Sequence, residues 1–307
     1  MRRSEPADRV VRVLEALHER ADEGLRFAEV ARAADVSQAT CHAILATLTD
    51  AGYVHRAPET KTYSLGPALV GLAAGAARSS RSVRLQPLLD DLARRTGLAC
   101  SAAEAIGDSI TIVAVATAPG RETQLQVGAR VPFAPPFGAI HVAWSEPVAV
   151  DAWIGRATSP ALNADALRAV VRDHHDHGVA VAPSTPASAP LREALAELAA
   201  NPSAAALRDR TLELLGSIDR LDYTADEVAG RGALAVNTIT APVFDADGQV
   251  IFAIAVHPDA PELDATRRRA LIADLREVTD TLTRLTADTR ATRDTRATRD
   301  TRESGAA

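Results

Sequence analysis

Residues 36–69 read VSQATCHAILATLTDAGYVHRAPETKTYSLGPAL, and two local patterns follow one another within them. Ser37 is a strong helix N-cap, and Cys41, Ile44, Leu45 and Leu48 recur at i, i+3, i+4 and i+7. That period predicts a helix starting at Ser37, buried along one side and stopping before Gly52. Two β-prone runs come next, Tyr53–Arg56 and Thr62–Leu65, around Ala57–Lys61 with Pro58 in the turn. They predict a hairpin, and a hairpin directly behind such a helix is a wing.

Upstream, Val10, Val13, Leu14 and Leu17 form another apolar stripe, with Asp8 read as its N-cap and Gly24 as the break behind it. A short helix over Phe27–Ala34 follows, carrying Val30, Ala33 and Ala34. Only Asp35 and Val36 separate it from the helix that Ser37 opens, which is the spacing of a helix-turn-helix. Residues 6–66 are therefore expected to form a compact three-helix domain with a wing.

Downstream, Pro67–Arg78 reads as a linker helix within a 67–84 connector, ending in the polar run Arg78–Ser82. Leu85, Leu88, Leu89 and Leu92 define an amphipathic helix ending at Gly97. Strands are expected at Ala99–Ala105, Ile110–Ala116 and Thr123–Val127, then a Pro-rich loop, Val131–Pro136, and a helix over Phe137–Trp144. A helix over Ala164–His175 leads through Gly178 to a strand at Val179–Ala182. Residues 183–222 are Pro-, Ala- and Leu-rich and mostly helical (Leu191–Ala200, Ala204–Leu215). A strand pair, Thr238–Phe244 and Gln249–Val256, turns at Asp245–Gly248, and Asp264–Thr286 is the last amphipathic helix. Residues 85–286 thus read as one mixed α/β domain around a largely antiparallel sheet, which makes the chain α+β overall. Beyond 286 the sequence repeats ATRDTR with no large apolar residue, so disorder is expected for 287–307.

Composition bounds the function. Of 307 residues, 47% are hydrophobic and 24% charged, an ordinary globular balance. With 34 basic and 40 acidic side chains the net charge is −6, so nucleic acid would have to be met by a local basic face. Cys41 and Cys100 are far apart, which argues against a disulfide framework and fits a reducing cytoplasm. The start, MRRSEPADRVVR, lacks the apolar run of a secretory signal, and Ala68–Ala77 is too short to span a membrane.

Taken together, residues 36–69 resemble the winged helix-turn-helix of the IclR-type (isocitrate lyase regulator) bacterial transcriptional regulators. The carriers are Ser37-Gln38-Ala39-Thr40-Cys41-His42, Gly52-Tyr53-Val54 and Tyr63-Ser64-Leu65-Gly66. In the second half, Ile239–Val250 is similar to the family's Pro-Val-Phe-Asp-x-x-Gly hairpin. The resemblance covers about 6–150 and 223–286. It implies a GAF-like effector-binding domain, a small-molecule effector and a homodimer or dimer of dimers. Departures are also visible. Gln38 and Ala43 stand where the family has basic residues, and Ala28 stands where it has a capping Thr or Ser, a change that costs about 1 kcal/mol. Residues 132–139 match the family's Pro-Leu-His-x-Thr segment only loosely, and 183–222 read as an insertion.

The chemistry a DNA reader needs is present on the helix opened by Ser37. With Cys41, Ile44, Leu45 and Leu48 inward, Gln38, Ala39 and His42 are expected to face outward, with Ser37 and Thr40 near phosphates or bases. Gln38 matches an adenine edge and the Ala39 methyl a thymine methyl. Phosphate contacts fall to Arg26, Arg56, Lys61 and the N-terminal Arg2 and Arg3. The competing reading of these polar side chains is plain solvation.

For an effector, the Pro-rich loop delivers Phe137, Gly138 and Ala139 to a helix start suited to a carboxylate, with Phe133 and Phe137 as an apolar wall. Ordinary core packing accounts for the same two rings. Asn237, Thr238 and Cys100 are candidate polar contacts from the sheet.

His174 and His177 invite a metal, but no third ligand is apparent and a solvated helix end explains them; no metal and no cofactor is expected. None of the nucleophile, zinc-protease or phosphate-loop motifs of common enzymes occurs in a suitable setting. The expectation is a cytoplasmic, non-enzymatic transcriptional regulator that reads a pseudo-palindromic operator in double-stranded DNA under control of an acidic metabolite. Its rivals are a ligand-independent regulator whose degenerate pocket serves assembly, and a cryptic small-molecule enzyme.

Overall fold

The structure is a computed structural model that describes residues 4–21, 23–77, 84–157, 162–200, 205–216 and 222–304. The chain divides into two compact units, Met1–Ser79 with Ala200–Ala205, and Ser80–Ala199 with Ala206–Ala307.

The first unit runs α1 (Glu5–Glu19), β1 (Leu25–Arg26), α2 (Phe27–Ala33), α3 (Gln38–Asp50), β2 (Val54–Arg56), β3 (Thr62–Leu65) and α4 (Ala68–Ala77). Its core gathers Val13 and Leu17 from α1, Val30 from α2, and Cys41, Leu45 and Leu48 from α3, closed by Leu25 and Val54. The expected stripes are thus the buried ones. Two caps correct the sequence reading. Helix α1 starts at Glu5 behind Ser4, because Pro6 suits the first turn; Asp8 lies inside the helix and pairs with Arg12 at 3.3 Å. Helix α2 starts behind Arg26, not Ala28, and Glu29 accepts from the Arg26 backbone N–H at 2.7 Å.

The three-stranded sheet has the order β1-β3-β2 and is antiparallel throughout. Strand β1 was not anticipated, since two residues are too few to show alternation. Gly66 closes the wing at a position where a Cβ would lie 2.2 Å from the Gly52 carbonyl oxygen, so the chain can pass only as glycine.

The second unit contains α5 (Leu85–Thr96), β4 (Ala99–Ile106), β5 (Ser109–Ala116), β6 (Arg130–Pro132), α6 (Ala139–Val142), α7 (Pro147–Ile154), α8 (Ala164–His177) and β7 (Ala180–Pro183). It continues with α9 (Ser188–Ala200), α10 (Ala205–Gly216), α11 (Ala225–Ala229), β8 (Leu234–Phe244), β9 (Val250–His257), β10 (Ala260–Leu263) and α12 (Ala265–Ser304). Its sheet runs β10-β8-β9-β4-β5-β6, with β7 on β8, and every pairing is antiparallel.

Helices α5 and α12 bury Leu89, Leu92, Leu271, Leu275 and Val278 with the sheet side chains Cys100, Ala102, Ile239, Val243 and Ile254. A second cluster, Ala139, Val142, Trp153, Leu167 and Val171, joins α6, α7 and α8. Arg268 of α12 is fully buried and donates to the carbonyls of Val228, Gly230, Gly232 and Leu263, fixing the loop that feeds β8.

Three expectations change here. Residues 123–127 form no strand; the edge of β5 is taken by β6, three residues further on. The helix expected over 137–144 shrinks to α6, because Gly138 adopts a left-handed conformation (φ 91°) ahead of it and a separate helix starts at Pro147. Lastly, α12 continues to Ser304, so the disorder expected from 287 gives way to helix as far as Ser304. Alanine and arginine favour helix, and no Gly or Pro interrupts 265–303.

Candidate functional site

In the first unit, Ser37 Oγ accepts from the Thr40 backbone N–H at 3.2 Å and lies 2.9 Å from Thr40 Oγ1, so these two side chains tie down the start of α3. Cys41, Leu45 and Leu48 then point inward, and the helical period leaves Gln38, Ala39 and His42 on the exposed side. His42 is steadied by an edge-on contact with Phe27 of α2, ring centroids 6.3 Å apart. Arg26 is exposed at the start of α2. In the wing, the Arg56 guanidinium lies over the Tyr63 ring at 5.6 Å, and exposed Lys61 takes a left-handed backbone (φ 59°) in the turn. The outward side of α3 thus presents Gln38, Ala39 and His42, with the cations Arg26 at the start of α2 and Arg56 and Lys61 in the wing. Arg2 and Arg3 lie outside the described residues.

The second unit has a cavity of about 350 Å3, open at one side, between the sheet, α6, α8 and α9. That volume suits a small molecule. Of the residues singled out by sequence, Phe137, Gly138, Ala139, Asn237 and Thr238 line it. The loop ahead of α6 is held from behind: Trp153 Nε1 donates to the Phe137 carbonyl at 2.8 Å and Arg156 Nη1 to the Phe133 carbonyl at 2.9 Å. A Cβ on Gly138 would meet the Phe133 ring at 2.6 Å, so glycine is required at this turn.

Two assignments are corrected. Phe133 does not line the cavity; its ring packs behind Gly138, against His141 and Arg156. Cys100 points to the opposite face of the sheet, into the core under α5, because the alternation of β4 sends Cys100 and Ala102 one way and Ala103 towards the cavity. Burial pushes the Cys100 thiol up to about 12, partly opposed by a hydrogen bond with Thr96, so no thiolate is offered to a ligand.

Several residues were not expected from sequence to form the cavity wall. His174 is buried at the end of α8, with Nε2 3.1 Å from Asp222 Oδ2, and both line the cavity. His174 falls on the buried stripe Leu167, Val171, His174, a periodic signal that the run of three histidines obscured. His177 instead turns back to the Asp173 carbonyl at 2.9 Å, and exposed His175 pairs with Asp176, so the three imidazoles face separate partners. No group of three potential ligands is placed to hold a metal ion among the described residues.

At the other end of the wall, Arg192 Nη1 of α9 donates to Asn237 Oδ1 at 3.2 Å and Asp259 Oδ1 at 2.7 Å. His257, 2.9 Å from Ser101 Oγ, is pushed down to about 4 by burial and the Arg192 charge, so it is neutral near pH 7. Apolar Ile110, Ile112, Leu125, Ile140, Leu191 and Leu195 supply much of the remaining lining.

Residues 6–58 match the family model described as the IclR helix-turn-helix domain. Among solved structures, an IclR transcriptional regulator from Alicyclobacillus acidocaldarius aligns over 93% of this chain and 100% of its own, with TM-score 0.65 and 16% identity. An IclR homologue from Microbacterium hydrocarbonoxydans, complexed with 4-hydroxybenzoate, aligns over 92% and 98%, with TM-score 0.61 and 18% identity. The IclR of Thermotoga maritima aligns over 91% and 97%, with TM-score 0.55 and 13% identity. No curated protein matches the sequence. At these identities the structural likeness speaks for the fold, and the helix-turn-helix match speaks for the first unit. The chain therefore carries an IclR helix-turn-helix domain at its N-terminus, on the fold of the IclR-type transcriptional regulators.

Proposed function

We propose that this chain is a sequence-specific DNA-binding transcriptional regulator whose DNA affinity is set by a small acidic molecule held in the cavity of the second unit. The observation that carries the reading is α3: capped by Ser37, buried through Cys41, Leu45 and Leu48, and exposed through Gln38, Ala39 and His42. Gln38 reads an adenine edge, Ala39 touches a thymine methyl and His42 meets the neighbouring pair. Thr40, Arg26, Arg56 and Lys61 serve the phosphates. Two copies related by a two-fold axis, or a dimer of dimers, then meet a pseudo-palindromic operator. The regulator acts in the cytoplasm, and no described helix is long and apolar enough to cross a membrane.

An acidic effector is supported by the start of α6, where the backbone N–H groups of Ala139 and Ile140 make no hydrogen bond among the described residues and both residues line the cavity. The complex of the Microbacterium homologue with 4-hydroxybenzoate is in keeping with a carboxylate ligand here. The open volume favours this reading over a filled pocket used only for assembly. Coupling requires that the ligand bind two states of the regulator with different affinity.

The test is to sequence genomic fragments retained by the full chain at near-physiological salt, beside a Gln38→Ala/His42→Ala variant. Enrichment of one inverted repeat by the parent chain, lost in the variant, is expected. Uniform retention by both would overturn the sequence-specific reading. Isothermal titration against organic acids, repeated with the retained operator present, checks the effector half.

A further inference from the structure

Helix α9 lies in the 183–222 segment that has no counterpart in the resemblance, yet it supplies Leu191, Arg192 and Leu195 to the cavity wall. Arg192 is partly buried, and one nitrogen, Nη1, takes both of its partners, Asn237 and Asp259. Its Nε and Nη2 make no hydrogen bond among the described residues. Those two nitrogens form the edge of a guanidinium that accepts a carboxylate in fork geometry.

The other charges on the wall are differently placed. Arg130 is exposed at the rim. Asp222 stands 3.1 Å from His174, at a different part of the wall from Arg192 and its partners Asn237 and Asp259. His257, beside Arg192, is neutral near pH 7 and adds a polar group without charge.

Resting on the reading of the cavity as an effector site, we propose that Arg192 is the residue that recognises the acid group of the effector, presenting Nε and Nη2 to a carboxylate while Asn237 and Asp259 hold the guanidinium from the Nη1 side. Helix α9 thereby sets ligand specificity: the 183–222 segment brings the partly buried cation, and the wall contributed by β5, α6 and Leu195 grips the apolar body. The ligand class is a carboxylate with a compact apolar body. Asp259 is half-exposed, so it takes part of its solvation from water while it orients Arg192.

Thermal-shift and calorimetric titrations of the full chain with benzoate, phenylacetate, succinate and adipate, each beside its neutral amide, test this. The wild-type chain is expected to bind at least one acid in preference to its amide. Arg192→Gln weakens that acid by roughly ten- to a hundred-fold, as loss of a charge-assisted hydrogen bond does. Arg192→Lys, which keeps the charge and loses the fork, falls between. Arg284→Gln removes an exposed cation on α12 and matches wild type, separating a specific contact from net charge.

Unchanged acid binding by a folded Arg192→Gln chain overturns the assignment and leaves the acidic-effector reading standing. Absence of acid binding in the wild type, or amides bound as tightly as acids, overturns that reading and this one with it. Should Arg192→Gln fail to fold, Arg192→Lys decides: a drop of about threefold or more supports the fork, and no drop overturns it.

Discussion

The exposed side of α3 and the cavity of the second unit are built by opposite routes. The residues that face outward from α3, Gln38 to His42, lie within five positions of one another, and the helical period alone decides which way each points. The cavity is assembled from Ala103 on β4, Phe137 ahead of α6, His174 on α8, Arg192 on α9 and Asn237 and His257 on the sheet. These residues span more than half the chain, and their meeting depends on strand pairing and on which face of the sheet each occupies. A reading surface so local tolerates change around it; a cavity so distributed depends on distant contacts that hold its walls.

The largest effect expected from that contrast is at Arg268. Replacing it with alanine leaves the carbonyls of Val228, Gly230, Gly232 and Leu263 without their donor, in a buried position. With several buried carbonyls left unsatisfied, we expect a loss of roughly 3–5 kcal/mol in the second unit. Urea unfolding followed by tryptophan fluorescence reports it, since Trp144 and Trp153 both lie in that unit. A loss below about 1 kcal/mol would mean that the loop ahead of β8 holds itself.

Leu45→Ala tests the core behind α3. Leu45 is 1% exposed, so truncation should cost roughly 2–5 kcal/mol in the first unit and abolish DNA retention by unfolding. Gln38→Ala, on the opposite side of the same helix, should stay within about 0.5 kcal/mol of wild type and lose only sequence preference. Circular dichroism melts beside DNA retention separate the two, and equal losses of stability would break the two-sided description of α3.

Acid should strike the second unit through its histidines. Burial pushes His141 down to about 4, against an ordinary value of 6.5. Between those values the unfolded chain binds a proton that the folded chain refuses. The stability His141 contributes is therefore fully present above about pH 6.5 and is lost as the pH falls towards 4, by up to roughly 3 kcal/mol. His257 acts in the same direction. Urea midpoints at pH 7.5, 6 and 5 should fall, and His141→Gln should flatten the slope; a midpoint rising on acidification would contradict the assignment.

A small effect is expected at Ser37. Removing its cap of α3 with Ser37→Ala should cost about 1 kcal/mol. Because Ser37 Oγ also touches Thr40 Oγ1, the variant should weaken DNA retention more than its stability loss accounts for. Proportional losses would confine Ser37 to the cap.

Much of this was legible from sequence, unevenly. The stripes Val13–Leu17 and Cys41–Leu48, the β8–β9 hairpin and the α5 stripe are local periodic patterns, and each appears at or near its expected place. The failures share a cause. Thr123–Val127 is β-prone, but a strand needs a free edge, and β6 occupies the one on β5. Phe133 and Cys100 carry suitable side chains, but the turn at Gly138 and the register of β4 send both away from the cavity. Arg192 and Asp222 lie in or beside a segment with no family pattern to mark them, and only the packing of α9 and α8 brings them to one wall.

Local sequence specified the helix-turn-helix, its wing and the outward side of α3, because capping and the 3.6-residue period act over a few neighbouring residues. It also determined that a second, sheet-centred unit follows. That His174, Arg192, Asp222 and His257 share one cavity, and that Cys100 and Phe133 stay out of it, emerges only in the folded chain. Those outcomes turn on long-range strand pairing and on the choice between two faces of a sheet, and a one-residue change of register reverses every such choice.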